Sequence, residues 1–117
     1  MNVFKAKYDK VDTDLKPIEV SLSELIKNPK KYNKKFIKTV GFLALDLSNS
    51  VLFISLKDFQ KHFTANGILF VLPKEDIIQL SLKINKEFAY VEGYFHLVEE
   101  NNFPGGLFRI QKVDKIK

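Results

Sequence analysis

Five stretches of the chain have the residue pattern of β-strands, and turn-forming clusters separate them. The stretches are residues 36–47, 51–56, 68–72, 88–98 and 107–113. Each is rich in β-branched, aliphatic or aromatic residues, a composition that favours strands. Gly41 and Gly93 lie inside the first and fourth stretches, where a glycine marks a bulge or a sharp bend. The pattern therefore predicts five strands, of which the first and fourth are long and curved.

The residues before the first strand predict a short helix. Ser21 and Glu24 have the spacing of a capping box, and Val20 and Leu25 are placed to make the hydrophobic contact that fixes a helix start. Pro29 disfavours helical geometry in the residue that precedes it. We therefore expect a helix that begins at Ser21 and ends before Pro29.

A second helix is predicted between the third and fourth strands. Pro73 followed by Glu75 and Asp76 is a typical helix start, because acidic side chains complement the free N–H groups of the first turn. Spacings of three and four residues would then bury Ile77, Leu80 and Ile84. Residues 57–63, between the second and third strands, are expected to hold one further helical turn.

This order of elements predicts the fold class. Three strands, a helix and two more strands, with the first and fourth strands curved, is the connectivity of a five-stranded OB-fold-like barrel. The chain is therefore predicted to be mostly β, with one helix between strands three and four and a short N-terminal helix. Residues 20–117 are expected to form this domain, and residues 1–19 to be a tail or an added strand.

The opening of the predicted domain carries a family resemblance. The sequence Ser21-x-x-Glu24-Leu25, then Asn28-Pro29, Tyr32 and Lys35-Phe36 leading to Val40-Gly41, resembles the start of small stand-alone bacterial OB-fold proteins. Those proteins are mostly uncharacterised, and some resemble immunity proteins encoded beside secreted toxins. Their openings often have glycine where Asn33 stands here. Asparagine tolerates the left-handed backbone that such a turn needs, so this difference leaves the fold prediction intact. The resemblance implies no site residues.

Charge is distributed unevenly along the 117 residues. The net charge is +5, and residues 1–38 contain 10 lysines against 5 acidic residues. Six of these lysines lie in a run with no acid between them, which suits a phosphate or an acidic protein, or is only a solvated turn. They are Lys27, Lys30, Lys31, Lys34, Lys35 and Lys38.

Composition also limits the compartment and the chemistry. The longest apolar run, residues 68–72, is far below the roughly 20 residues of a membrane span. We expect a cytoplasmic protein, or a periplasmic one if a signal peptide has been removed. The absence of cysteine excludes disulfides and thiol catalysis. His62 and His96 lack a second ligand at metal spacing, and no catalytic or phosphate-binding motif is present, so no enzyme, metal or cofactor is predicted.

The fourth predicted strand has two different faces. Ala89, Val91, Gly93, Phe95 and Leu97 form the expected core face, and Phe88, Tyr90, Glu92, Tyr94 and His96 the other. Tyr90, Tyr94 and His96 are predicted to bind a partner protein, because rings with polar tips suit interfaces. Phe103, on the tight loop before Pro104, is a further predicted anchor. Alternatively, the two tyrosines lie under the N-terminal segment and Phe103 folds back onto the barrel.

Nucleic acid is the alternative partner. OB barrels bind single strands across strands two and three, but these strands supply Phe53 and Phe70 without a cation. A single-strand site would therefore use Lys30, Lys31, Lys34 and Lys35. The apolar strands two and three are instead expected to be covered by the N-terminal segment, a second copy in a homodimer or another protein. The prediction is a non-enzymatic protein-binding domain, with toxin inhibition as one form.

Overall fold

The computed structural model describes residues 2–5, 16–98 and 102–116. Within these residues the chain forms seven strands and three α-helices. They are β1 (Asn2–Lys5), β2 (Ile18–Glu19), α1 (Leu22–Lys27), β3 (Lys35–Ala44), β4 (Ser50–Phe53), α2 (Leu56–Gln60), β5 (Gly67–Phe70), α3 (Lys74–Ser81), β6 (Glu87–His96) and β7 (Gly106–Lys115). Single 3-10 turns lie at Pro29–Tyr32 and Thr64–Asn66.

Five of the strands close into a barrel. β3, β4 and β5 pair antiparallel in succession, and β5 pairs parallel with β7. β6 then pairs antiparallel with both β7 and β3, which completes the ring. The predicted fold class is confirmed: the protein is mostly β, with an OB-fold-like barrel and α3 between its third and fourth strands.

Two short strands extend this sheet. β1 pairs antiparallel with β7, with Asn2 opposite Asp114 and Lys5 opposite Lys112. β2 pairs parallel with β3, and the Val20 amide donates to the Lys38 carbonyl. The added-strand alternative therefore holds for residues 2–5, while residues 6–15 lie outside the described residues.

The predicted N-terminal helix is confirmed as α1. Its first turn is capped because the Ser21 hydroxyl accepts a hydrogen bond of 3.1 Å from the Glu24 amide. The Glu24 carboxylate accepts from the Asn28 side-chain amide and from the Tyr32 hydroxyl, each at 3.1 Å at the closest. These bonds fix the 3-10 turn to α1 and set the position from which β3 begins.

The left-handed residue in the turn before β3 is Lys34 rather than Asn33. Lys34 has φ of 65°, whereas Asn33 has φ of −59°. The Asn33 side chain has another role, since its Oδ1 accepts a 3.0 Å hydrogen bond from the Leu97 amide. The Lys34 amide donates a 2.7 Å hydrogen bond to the Phe95 carbonyl. The left-handed backbone of Lys34 therefore lies where the turn contacts β6.

The main core fills the barrel and the spaces under α1 and α3. It includes Leu25 of α1, Ile37 of β3, Leu52 of β4 and Phe95 of β6, all fully buried. Ile77 and Leu80 are buried as the helical spacing predicted; Ile84 is also buried, but it lies beyond the end of α3 at Ser81. The single helical turn expected in residues 57–63 is confirmed as α2. No helix among the described residues is long and apolar enough to cross a membrane.

An irregularity at Gly93 lies in the partner strand rather than in β6. Glu92 pairs with Lys112 and Tyr94 with Phe108, so β7 contains two more residues than β6 across this interval. A Cβ on Gly93 would lie 2.9 Å from the Ile110 Cδ1 atom and 3.1 Å from the Phe108 carbonyl oxygen, so both neighbours would have to shift to admit it. Because the extra residues are in β7, the alternation of β6 continues unchanged through Gly93.

Candidate partner-binding face

The barrel face on which OB domains bind single strands is covered by the chain itself. Phe42, Val51, Phe53 and Phe103 form a second buried cluster outside the barrel, with Phe59 of α2 packed against it. The Phe42 and Phe59 ring centroids are 5.3 Å apart. The second and third barrel strands were expected to be covered by the N-terminal segment, a second copy or another protein. Instead, α2 and the loop that carries Phe103 pack over them.

Phe103 is not an exposed anchor. Its side chain is only 7% exposed, so the prediction that it fills a partner's pocket is wrong and the alternative, folding back onto the barrel, is correct. A free aromatic ring on a loop would leave its apolar surface in water, whereas here the ring packs with Phe42 and Phe53.

The outward sides of β3 and β6 form a continuous surface. The cross-strand pairs are Phe36 with Tyr94, Lys38 with Glu92, Val40 with Tyr90 and Phe42 with Phe88. Successive side chains of a strand point to opposite faces, so these residues share the outer side. The outer aromatic face, as we name it, consists of Phe36, Lys38, Val40, Phe88, Tyr90, Glu92, Tyr94 and His96. Phe42, which lies under Phe59, is buried beside it.

The burial along β6 confirms the predicted division of this strand. Ala89, Val91, Gly93 and Phe95 are buried, and the other set is exposed or half-buried. Phe88 is 41% exposed and Tyr90 is 40% exposed. Leu97 was expected in the core but is exposed, because β6 ends at His96 and the alternation ends with it.

Ring contacts hold the side chains of the outer aromatic face in place. Tyr94 stacks on Phe36 with centroids 5.1 Å apart, and the Arg109 guanidinium carbon lies 5.6 Å from the Tyr94 ring. The Lys38 ammonium lies 5.1 Å from the Tyr90 ring centroid. Such cation–π contacts stabilise a ring and a cation next to each other at a surface. Lys38 and Arg109 therefore belong to the site together with the predicted tyrosines.

The predicted lysines lie before and at the start of β3. Lys30 and Lys31 are in the 3-10 turn, Lys34 precedes β3 and Lys35 begins it; all four are exposed. Lys35 is opposite the buried Phe95, so its side chain points to the other side of β3 from Phe36. The structure therefore brings only the backbones of Lys34 and Lys35 near the strand end that carries Tyr94 and His96, and it places Tyr90 farther along the outer face.

A groove of about 420 Å³ adjoins the face near Tyr90. It is lined by residues 19–23 and Ile54 and by Lys38, Thr39 and Tyr90. Thr39 is 2% exposed, and its hydroxyl has no hydrogen-bond partner among the described residues. The sequence did not predict this groove. Thr39 is β-branched, so in the sequence it looks like an ordinary strand residue.

Among residues 2–5, 16–98 and 102–116, no group of three or more histidine or acidic side chains is placed to hold a metal ion. His96 instead packs its ring edge against Phe108, with centroids 5.5 Å apart. What the arrangement offers is a rigid surface of rings and charges.

No family model, no curated protein and no solved structure matches this chain. The resemblance to small bacterial OB-fold proteins therefore stays a prediction, and the fold assignment depends on the barrel topology alone.

Proposed function

We propose that this protein binds another protein through the outer aromatic face and is not an enzyme. The observation that carries the proposal is the group of exposed apolar side chains on adjacent barrel strands, Val40, Phe88 and Tyr90. Aromatic residues and arginine are enriched where protein interfaces are buried, and they dominate the binding energy. Because these residues lie on strands of a closed barrel, little ordering is required when a partner binds.

The charges on this face support a protein partner over a nucleic acid. Glu92 lies next to Lys38 in the β3–β6 register, and Asp114 lies next to Tyr90 on β7. Carboxylates repel a phosphate backbone, whereas alternating charges match the mixed surface of another protein. The Tyr94 ring already contacts Phe36 and Arg109, which leaves little of it free for a stacked base.

Inhibition of a toxin by covering its active site is the specific activity we propose within this class. The support is the family resemblance of residues 21–41 together with a face on a closed barrel that offers contacts without chemistry. Such an inhibitor needs only a preorganised surface of the right shape and charge.

The experiment is recovery of partners from the native host with immobilised protein. We expect one protein to be retained by the wild type and reduced at least tenfold by the double variant Phe88→Ala/Tyr90→Ala. The matched control is Ile78→Ala/Leu82→Ala, which removes two exposed apolar side chains from the α3 segment. Equal recovery of the partner by all three proteins would show that the outer aromatic face does not bind it.

Single-stranded nucleic-acid binding is the second candidate. It is favoured by four exposed lysines close together in the chain, Lys30, Lys31, Lys34 and Lys35. It predicts that a labelled oligonucleotide binds at low salt and that its affinity falls steeply as salt rises, since each neutralised phosphate releases counterions. Absence of oligonucleotide binding at low salt would rule out nucleic-acid binding through these lysines.

A further inference from the structure

Opposite charges lie side by side on the outer aromatic face. Lys38 of β3 is opposite Glu92 of β6 in the strand register, and each side chain is half-buried. Lys38 points outward, because its ammonium lies 5.1 Å from the ring centroid of Tyr90. Glu92 is two residues from Tyr90 on β6, so these two side chains lie on the same side of the strand. One basic and one acidic side chain therefore stand next to each other on this surface.

The pairs on either side of this charged pair carry apolar surface. Val40 is opposite Tyr90, and their side chains are 37% and 40% exposed. Phe36 is opposite Tyr94, and the two rings stack with centroids 5.1 Å apart. Phe88, two residues before Tyr90 on β6, is also exposed. A surface of this kind gains free energy when another surface covers its apolar part.

This arrangement makes the face complementary to itself. In a face-to-face pair of copies with a two-fold axis parallel to the strands, between β3 and β6, β3 of one copy lies over β6 of the other. This is the aligned packing that stacked sheets favour. Each residue then faces the cross-strand neighbour of its own counterpart, so Lys38 lies over Glu92 of the second copy and Val40 over Tyr90 of the second copy. The axis generates each of these contacts twice.

We propose that the outer aromatic face binds a second copy of this chain in a two-fold dimer, with Lys38 of each copy paired with Glu92 of the other. Charge complementarity favours a second copy as the occupant, because the two-fold axis brings each charge to its opposite. The proposal goes beyond the binding of a different protein, since both occupants use one face and compete for it.

The dimer is expected to be weak and reversible. The outside of a closed barrel is convex, so the contact is limited to the two strands nearest the axis. The outer aromatic face has far fewer residues than the roughly 20–30 on each side of a standard interface. We therefore expect self-association that increases with protein concentration and that leaves the face accessible to a different protein when the chain is dilute.

The test is sedimentation velocity of the full chain over a wide range of concentration, with two charge reversals. Glu92→Lys places lysines at both positions of the charged pair, and Lys38→Glu places glutamates at both. We expect each variant alone to dimerise at least tenfold more weakly than the wild type, because the two-fold axis then sets like charges against each other. An equimolar mixture of the two variants is expected to recover wild-type association, since each copy supplies the charge that the other lacks.

The mixture separates a contact between copies from an effect within one chain, because mixing leaves each chain's own sequence unchanged. The control variants are Glu75→Lys and Lys83→Glu, which make the same changes in net charge at exposed positions in and just after α3. We expect each control to associate as the wild type does, both alone and in a mixture. Urea midpoints verify that all four variants are folded.

The outcomes separate this inference from the proposed function. A wild type that stays monomeric at every concentration overturns the dimer, and recovery of a different protein by that monomer leaves the proposed function standing. The dimer is also overturned if the mixture of Glu92→Lys and Lys38→Glu associates no more than each variant alone, or if the controls lose association to the same extent. Loss in each reversal with recovery in the mixture supports it.

Discussion

Phe103 shows how a loop residue stabilises the outside of the barrel. Its ring packs with Phe42, Val51 and Phe53, and α2 covers the same cluster. We expect Phe103→Ala to lower the free energy of unfolding by about 2–4 kcal/mol, because the ring is buried and leaves a cavity. Urea unfolding followed by circular dichroism measures this change.

The control for this variant is Phe63→Ala, which removes a phenylalanine that is half exposed. A change within about 0.5 kcal/mol is expected there, as for most surface substitutions. Equally small effects for the two variants would mean that Phe103 does not contribute to the packed cluster.

Thr39 carries a polar group that the fold leaves unsatisfied. Its hydroxyl is buried and has no partner among the described residues. Burial of an unpaired hydroxyl costs roughly 1–3 kcal/mol, and valine has nearly the same shape without this group. We therefore expect Thr39→Val to raise the midpoint of thermal unfolding. A clear loss of stability would show that the hydroxyl has a bonding partner in solution, such as water in the adjacent groove.

At the scale of single elements, the β6–β7 pair depends on the absence of a side chain at Gly93. A Cβ there would lie 2.9 Å from Ile110 Cδ1 and 3.1 Å from the Phe108 carbonyl oxygen. We expect Gly93→Ala to cost about 1–3 kcal/mol, because the extra residues of β7 must move away. Glu92→Ala on the outer side of the same strand is the control, and urea midpoints compare them. Similar midpoints for both would contradict the close packing.

The start of α1 depends on one side-chain hydrogen bond. The Ser21 hydroxyl accepts from the Glu24 amide, whereas Ser23 is exposed within the helix. Ser21→Ala is expected to cost about 1 kcal/mol through loss of this cap. Ser23→Ala, the matched control, should leave stability unchanged or slightly raise it, since alanine favours helices. The idea fails if the two serines give the same thermal shift.

At the scale of the whole molecule, one core joins nearly every element. The main cluster takes residues from α1, α3 and all five barrel strands, so no element buries its apolar side chains independently. We expect a single cooperative unfolding transition, in which tyrosine fluorescence and far-ultraviolet circular dichroism give the same midpoint. Two separated midpoints would show that α1 or α3 melts before the barrel.

Closure of the barrel also predicts slow folding. β3 pairs with β6, and β5 with β7, across long stretches of sequence, and these non-local contacts must form before the ring is complete. The same closure holds β3, β6 and β7 in fixed positions, which is why the outer aromatic face is a preorganised surface.

The sequence by itself determined the elements and their order. The strand-forming stretches, the cap at Ser21 and the apolar spacing in α3 act over a few residues, so they can be read locally. The alternation in β6 likewise predicted that Tyr90 and Tyr94 face outward. Phe103 and Leu97 were misplaced because burial of a loop residue, or of a residue beyond a strand's end, depends on what the rest of the chain packs against it.

Only the tertiary structure decided how distant residues combine into a site. Lys34 rather than Asn33 adopts the left-handed backbone. The Asn33 side chain instead accepts a hydrogen bond from the Leu97 amide, sixty-four positions later. Arg109 lies against Tyr94 because the two extra residues in β7 turn it there, and α2 covers the outer side of β4. These outcomes depend on strand register and on packing between segments far apart in sequence, which a local pattern does not contain.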